Sequence, residues 1–287
     1  MTGAFICGCV RNCEKYIDSV FNAIKQIESV FSETRIIIAY DESSDKSLLK
    51  LAQYKHLRGD KMDVLINRQP LSPYRTQNIA NARNSILAKM REDENQFPIF
   101  IMMDFDDVCA APLDLEVLKR ALTRESEWDS ISFNRPGYYD IWAVSLKPFV
   151  YSAWGWTEPR EVVRIMRNYI VDKLDKLNQT ELLECSSAFN GFALYKSSVF
   201  LGCSYDWRRP LEYISVEDIE KNREALVKHS RLEEESRGII TRCPLDKSVE
   251  EPDCEHRSFH MSAISRFGAR IRISPEILFS HEILGHA

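Results

Sequence analysis

Nowhere in the 287-residue chain is there a run of five or more Lys or Arg, and its 38 basic residues are outnumbered by 43 acidic ones. A polyanion partner needs a concentrated basic footprint, so nucleic acid is not an expected ligand. Any uninterrupted apolar stretch of the roughly 18 residues that cross a bilayer is missing too. The apolar runs are strand-sized, which predicts a chain without a transmembrane segment, cytoplasmic or at most peripheral to a membrane. Ala4–Val10 is apolar but short, and it meets Arg11 without a small-residue cleavage site, so it reads as a buried strand rather than a leader. With no secretory pattern around them, the eight cysteines read as free thiols. Cys7 and Cys9 alternate onto one face of a strand, where small buried hydrophobes suffice. No internal repeat or low-complexity linker marks a domain boundary.

The composition that remains, 44% hydrophobic and 28% charged, is that of an ordinary globular protein, long enough for one large domain or one domain with an appendage. Its pattern alternates. After Ala4–Val10 come Tyr16, Ile17, Val20, Phe21, Ile24, Ile27 and Phe31 at helical spacing, then the apolar run Arg35–Tyr40. Ser43-Ser44-Asp45 opens a helix to about Tyr54, Met62–Ile66 is a third strand, Ile79 to Met90 a helix, and Ile99–Met103 a fourth strand. Continuous apolar strands between amphipathic helices predict an α/β fold with a mainly parallel central sheet covered on both faces. The second half is less regular: short strands at Ser130–Asn134 and Ile141–Val144, a helix over Glu161–Leu177, strand-turn-strand over Glu181–Tyr195, a charged helix over Ser215–Ser236, a helix over Arg257–Phe267 closed by Gly268, and a strand over Ala269–Ile273.

Polar clusters fall where α/β folds place ligands, at the C-terminal ends of strands. They are Arg11-Asn12, Asp41-Glu42-Ser43-Ser44-Asp45 and Asp104-Phe105-Asp106-Asp107. In the last, an apolar strand emerges into three carboxylates, a costly arrangement unless a cation neutralises them. Mg²⁺ and Mn²⁺ prefer a few carboxylate oxygens together with substrate phosphate oxygens. Asp-x-Asp also caps helices, and on its own the motif fits either role.

Taken in order, strand then Arg11-Asn12, Asp41 to Asp45, Ala80-x-Ala82-Arg83-Asn84 on a helix, and strand then Asp104-x-Asp106 resemble the nucleotide-sugar half of GT-A fold glycosyltransferases. The pattern is similar in particular to small glycosyltransferases of large algal viruses and to fungal capsule-associated mannosyltransferases. It covers about Ala4–Val108 well and the remainder thinly. The resemblance implies a single GT-A-like, Rossmann-like domain, with residues 1–108 binding the nucleotide-sugar and 109–287 the acceptor. It implies that Arg11, Asn12 and Asp41 hold the nucleoside, that Asp104 lies near ribose and metal, and that Asp106 ligates Mn²⁺ or Mg²⁺. Arg83 can pair with a donor phosphate or make a surface salt bridge, and Arg75 is a second phosphate or uracil candidate. Asn190-Gly191 resembles the loop under the donor sugar, and equally an ordinary hairpin turn.

Toward the C-terminus the family pattern is an acidic pair at a helix start, a helix closed by Gly, a strand, a Pro and a metal-binding His. Here Asp253-Cys254-Glu255-His256, Gly268, Arg270–Ile273, Pro275 and His281 follow that order, with Glu-His in place of Glu-Asp. His281 is thus the expected third metal ligand. For inverting transfer a carboxylate takes the acceptor's proton; Glu255 is the first choice and Asp253 the second, each with helix capping as the alternative role. Trp142, Trp154, Trp156 and Tyr138 can stack on sugars or fill the core.

The expected activity is metal-dependent transfer of a sugar from a nucleotide-diphosphate donor to a glycan or glycoprotein hydroxyl. A UDP-sugar is favoured over GDP-mannose, and if the source is a virus the place of action is the host cytoplasm. Gly8-Cys9-Val10-Arg11-Asn12 is not the Gly-rich basic loop that a sugar nucleotidyltransferase wants, a phosphohydrolase lacks its second metal cluster, and a silent glycan-binding module has no reason for the carboxylates.

Overall fold

The computed structural model describes residues 2–93, 97–230 and 251–280. Strands β1 (Ala4–Val10), β2 (Thr34–Tyr40), β3 (Met62–Ile66), β4 (Ile99–Asp104), β5 (Ser130–Asn134), β6 (Leu183–Cys185), β7 (Phe192–Lys196) and β8 (Ile271–Ile277) form one sheet in the order β3-β2-β1-β4-β7-β5-β8-β6. The pairs β1–β2, β2–β3, β1–β4 and β5–β8 are parallel, whereas β7 runs antiparallel between β4 and β5 and β6 caps the far edge antiparallel to β8. The expected α/β fold with a mostly parallel central sheet is therefore present, and strands from both halves of the chain share that sheet.

Alternation along the strands builds two cores. Phe5 and Cys7 of β1, Ile37 of β2 and Phe100 of β4 face one layer, formed by helices α3 (Arg75–Glu92), α5 (Pro159–Asp175), the short α6 (Ser197–Phe200), α7 (Val216–His229) and α8 (Glu255–Phe267). Ala4, Ile6, Ile36 and Ile101 face the other, with helices α1 (Ile17–Glu28), α2 (Ser47–Arg58) and α4 (Leu115–Thr123). In α1 the buried Ile17, Val20, Phe21, Ile24 and Ile27 follow helical spacing. Gly268 ends α8 at φ 64°, a left-handed cap that costs glycine little.

Four expectations are corrected. Residues 141–144 form turns, not a strand: Asp140 Oδ1 accepts from the Ala143 N–H (3.1 Å) and the Val144 carbonyl is taken by Arg257, so no ladder forms. The two strands within residues 181–195 do not pair with each other, because Ser186 and Ser187 between them bond back to Ser145 (2.7 and 3.2 Å) and β7 crosses to β4. Helix α2 starts at Ser47, because Ser43 and Ser44 are bound to Asn12 and Asp45 Oδ1 accepts from the Ser47 N–H (2.9 Å). Strand β8 runs on through Pro275, which has no N–H to donate; the register shift between Phe133 and Asn134 absorbs the interruption. The charged helix ends at His229, and residues 231–236 lie outside the described residues.

Candidate active site

Beside β1 the strand order reverses, since the chain passes from β1 to β2 and β3 on one side and to β4 on the other. Such a switch point opens a crevice at the strands' C-terminal ends. A cleft of about 260 Å³ lies there, and seven sequence-predicted residues line it: Arg11, Asn12, Asp41, Arg75, Arg83, Asp104 and Asp106.

Asn12 holds its loop rather than pointing free. At φ 55° it takes the left-handed conformation that Asn tolerates, its Oδ1 accepts from the Ser44 N–H (2.8 Å), and its own N–H donates to Ser43 Oγ (3.0 Å). The loops after β1 and β2 are thereby joined. Asp41, buried at the end of β2, accepts from Asn67 Nδ2 (2.8 Å) and also lines a neighbouring cavity of about 380 Å³ with Asn67 and Arg68. Arg75 is exposed at the first residue of α3.

Asp104 ends β4 and Asp106 follows in a turn, where its Oδ1 accepts from the Val108 N–H (3.1 Å). Gly8 permits this arrangement: a Cβ there would lie 2.4 Å from the buried Phe105 ring. Gly191, at φ 85°, gives its carbonyl to the Asp104 N–H (2.9 Å), and a Cβ on it would strike Val108 at 2.1 Å and reach 3.6 Å from Asp104 Oδ2. Asn190 is a brace, donating to the Phe133 carbonyl (2.8 Å) and accepting from the Asp140 N–H (3.0 Å). Burial, then repulsion from Asp106, pushes the Asp104 carboxyl up to about 8, with Arg83 and Arg75 acting in the opposite direction. Burial raises Asp106 as well. Two carboxylates that resist joint ionisation form a donor set that fits a divalent cation completed by phosphate oxygens. No group of three or more His, Cys, Asp or Glu converges on a metal position among the described residues, and His281 lies outside them.

Arg83 is the centre of the buried wall. Ala80, Arg83, Leu87 and Met90 share the inward face of α3, so the arginine occupies a core position and is only 5% exposed. Its Nη1 donates to Glu255 Oε1 and to His256 Nε2, and its Nη2 lies 3.4 Å from Asp104 Oδ1. Its guanidinium carbon sits over the rings of Phe189 (4.8 Å) and Tyr205 (5.6 Å). Glu255 is thus brought to the cleft through Arg83. Asp253 is not: its Oδ2 pairs with Arg257 Nε at 3.0 Å, both side chains fully buried, and its Oδ1 accepts from Trp142 Nε1 (3.1 Å). Arg257 also donates to the carbonyls of Val144 and Val150.

Sequence reasoning missed Asp140 and the interior role of His256. Burial raises Asp140 to about 6, and Glu255, Arg83 and Arg75 all act on it electrostatically. Its signal was a carboxylate in the loop that follows β5, at the same sheet end as the other acidic loops. Of the four aromatic candidates, Tyr138 and Trp156 are core residues, whereas Trp154 is 47% exposed and lies 5.3 Å from the Trp142 ring.

The sequence profile of glycosyl transferase family 2 matches residues 6–200, more than half of the chain and both strands that flank the cleft. The chain belongs to glycosyl transferase family 2. The cleft lies at the switch point of the family's own segment, with α8 supplied from beyond it. A search of curated proteins gives no match. Among solved structures, it is similar to S. aureus TarS 1–349 in complex with UDP-GlcNAc (14% identity, 100% of this chain and 60% of that one, TM-score 0.45). It is also similar to glucosyl-3-phosphoglycerate synthase from Mycobacterium tuberculosis in complex with Mg²⁺ and UDP (14% identity, 69% and 58%, TM-score 0.40). A third is the mannosyltransferase PcManGT from Pyrobaculum calidifontis in complex with GDP-Man and Mn²⁺ (10% identity, 79% and 53%, TM-score 0.39). The chain spans about six tenths of the length of the TarS 1–349 structures it matches, and 34% of a longer TarS structure. None of the helices of the described residues is long and apolar enough to cross a membrane.

Proposed function

We propose that this glycosyltransferase moves a sugar from a nucleoside-diphosphate donor, a UDP-sugar before GDP-mannose, to a hydroxyl of a glycan or glycoprotein, with inversion. One observation carries the reading: a buried arginine and an exposed one face an under-neutralised carboxylate pair in a cleft at the sheet's switch point. That is the charge pattern of a site for a diphosphate with a divalent cation. Asp104 and Asp106 would hold Mn²⁺ or Mg²⁺, with His281 as the third ligand expected from the sequence; when bound, the ion neutralises charge on the departing diphosphate.

The chain's own residues do the remainder. Arg83, already fixed on three sides, offers its guanidinium to the diphosphate without a reorganisation cost, and Arg75 covers it from the helix start. Asp41 and Asn67 accept from and donate to the base, at the mouth of the second cavity. Gly191 lets the donor sugar approach the backbone. Trp142 and Trp154 lie on the acceptor side; residues 1–108 supply most of the donor site, and residues 109–287 supply the acceptor face together with Gly191 and His281. Asp140, half-buried in the loop after β5 at the sheet end that also holds Asp104, takes the acceptor's proton; burial raises its carboxyl to about 6, which favours proton uptake. Glu255, the base expected from the sequence, shares an oxygen with Arg83 and contributes chiefly charge. The similarity to algal-virus and capsule-associated enzymes belongs to this reading as its expected biological setting.

The test is calorimetric titration of UDP-sugars and GDP-mannose with and without Mn²⁺. Donor binding should require the ion and vanish in Asp106→Ala; unchanged donor affinity in that variant sinks the metal assignment. Asp140→Asn should keep donor binding and lose transfer. Loss of transfer in Glu255→Gln alone would return the base to Glu255.

A further inference from the structure

Behind Arg83 a chain of polar side chains runs through the apolar core, and nothing in sugar transfer itself calls for it. His256 and His260 sit one turn apart on α8, with Tyr195 of β7 between them. From the cleft inward, Arg83 Nη1 meets His256 Nε2. His256 Nδ1 lies 3.4 Å from Tyr195 Oη, Tyr195 Oη lies 3.1 Å from His260 Nε2, and His260 Nδ1 lies 3.0 Å from Ser187 Oγ. None of the four inner residues is more than 1% exposed.

Donor and acceptor rules leave this chain a single direction. A guanidinium only donates, so His256 Nε2 must accept. A neutral imidazole has one N–H, which is then at Nδ1 and donates to Tyr195 Oη. The tyrosine hydrogen is left for His260 Nε2, and the His260 proton must be at Nδ1, donating to Ser187. The opposite tautomer of His256 would set N–H against N–H at Arg83. Burial and the Arg83 charge keep both imidazoles neutral, His260 down to about 3. Donation from His256 Nδ1 makes its Nε2 a better acceptor, so each link strengthens the one nearer Arg83.

We propose that Tyr195 and His260 are positioning residues, holding His256 as its Nδ1–H tautomer so that it grips Nη1 of Arg83 and turns Nη2 toward Asp104 and the cleft. The Nη1 group has two hydrogens and meets two acceptors, Glu255 and His256, so the anchoring edge is filled and the other edge faces the ligand. Stacking of His256 on Phe189, 3.8 Å between centroids, sets the ring plane for this contact. The consequence for donor binding rests on Arg83 as the diphosphate residue of the proposed function; the tautomers and the grip on Arg83 do not.

The decisive experiment is long-range ¹H–¹⁵N NMR of the full chain, ligand-free, labelled at His and Arg. Both His256 and His260 should appear as neutral Nδ1–H tautomers at neutral pH, the less common form of a free imidazole, and the two Arg83 Nη groups should give separate signals because rotation is blocked. An Nε2–H or charged form of either ring overturns the proposal. In Tyr195→Phe, His256 should become a tautomer mixture, the Arg83 Nη signals should merge, and donor KM should rise about tenfold with kcat within about threefold, the size of one lost link to a charged group. Separate Nη signals in that variant overturn the positioning role. His256→Gln, whose amide oxygen can accept from Arg83, should restore separate signals where His256→Leu does not. Absence of any nucleotide-sugar binding by the wild type would count against the proposed function, and the NMR result would still decide the chain.

Discussion

Replacing Arg83 with methionine keeps most of its apolar stem and removes the guanidinium. Arg83 and Glu255 are 6% and 5% exposed at the side chain, so the variant leaves a carboxylate buried without its cation. Removing one partner of a buried pair costs about 3–5 kcal/mol. At about 2–4 °C per kcal/mol for a domain near this size, the melting temperature should fall by roughly 6–20 °C. Asp104 loses the same partner but keeps 27% exposure and can be hydrated, so most of the loss is at Glu255. The double variant Arg83→Met with Glu255→Gln should therefore recover a substantial part of the stability, because an amide tolerates burial better than an unpaired charge. Thermal unfolding followed by circular dichroism gives the double-mutant cycle directly. A single variant within about 1 kcal/mol of wild type, or a double variant no better than the single, would refute this account of Arg83 as the buried counter-charge.

Asp253→Asn should lower the melting temperature, since Arg257 would keep its burial and lose its only carboxylate in the described structure; lost turnover at unchanged melting temperature would instead restore Asp253 as a base. Gly191→Ala should cost about 1–3 kcal/mol from the Val108 overlap, with further strain from φ 85°, and should weaken donor binding by displacing Asp104; wild-type melting and titration would contradict the close packing. Burial alone would raise the Asp129 carboxyl, but hydrogen bonds from Arg270 and Lys196 outweigh it and bring it down to about 2. With the folded value below the unfolded one of about 3.9, the stabilisation is present above that pH and is lost as pH falls toward 2. The melting difference between wild type and Asp129→Asn should accordingly be full near neutral pH and shrink through that window. A difference that persists at pH 2 would assign the effect to packing.

Strands of the first half were legible because each is a continuous apolar run ended by polar residues, and periodicity needs no tertiary information to mark it. That seven of the predicted site residues line one cleft followed, since strand ends in an α/β fold converge wherever the strand order reverses. The second half resisted for physical reasons. Residues 141–144 have a strand's composition, yet their polar groups go to Asp140 and Arg257, a partner more than a hundred positions away. Asp253 and Glu255 look alike as acids at a helix start; only the positions of Arg257 and Arg83 separate a purely internal pair from a carboxylate that backs the cleft-lining arginine. Arg83 was expected at a donor phosphate or in a surface salt bridge; the surface alternative fails, because it lies on the inward face of α3 with Ala80, Leu87 and Met90. The depth of His256 and the reach of Asp140 were not legible, as both depend on which strand β7 pairs with.

The bond from Arg83 to Glu255 joins residues 172 positions apart, one inside the family-matching segment and one beyond it. Closing so long a loop is among the costlier steps in assembling the chain, and its reward arrives only when α8 docks. A fragment cut at residue 200 would retain the carboxylate pair, the loops after β1 and β2 and the cleft's outer wall, yet Arg83 would be unanchored and without Glu255 behind it. The part of the chain with the least family signature is thus the part that completes the site, and activity should appear late in refolding, after the sheet.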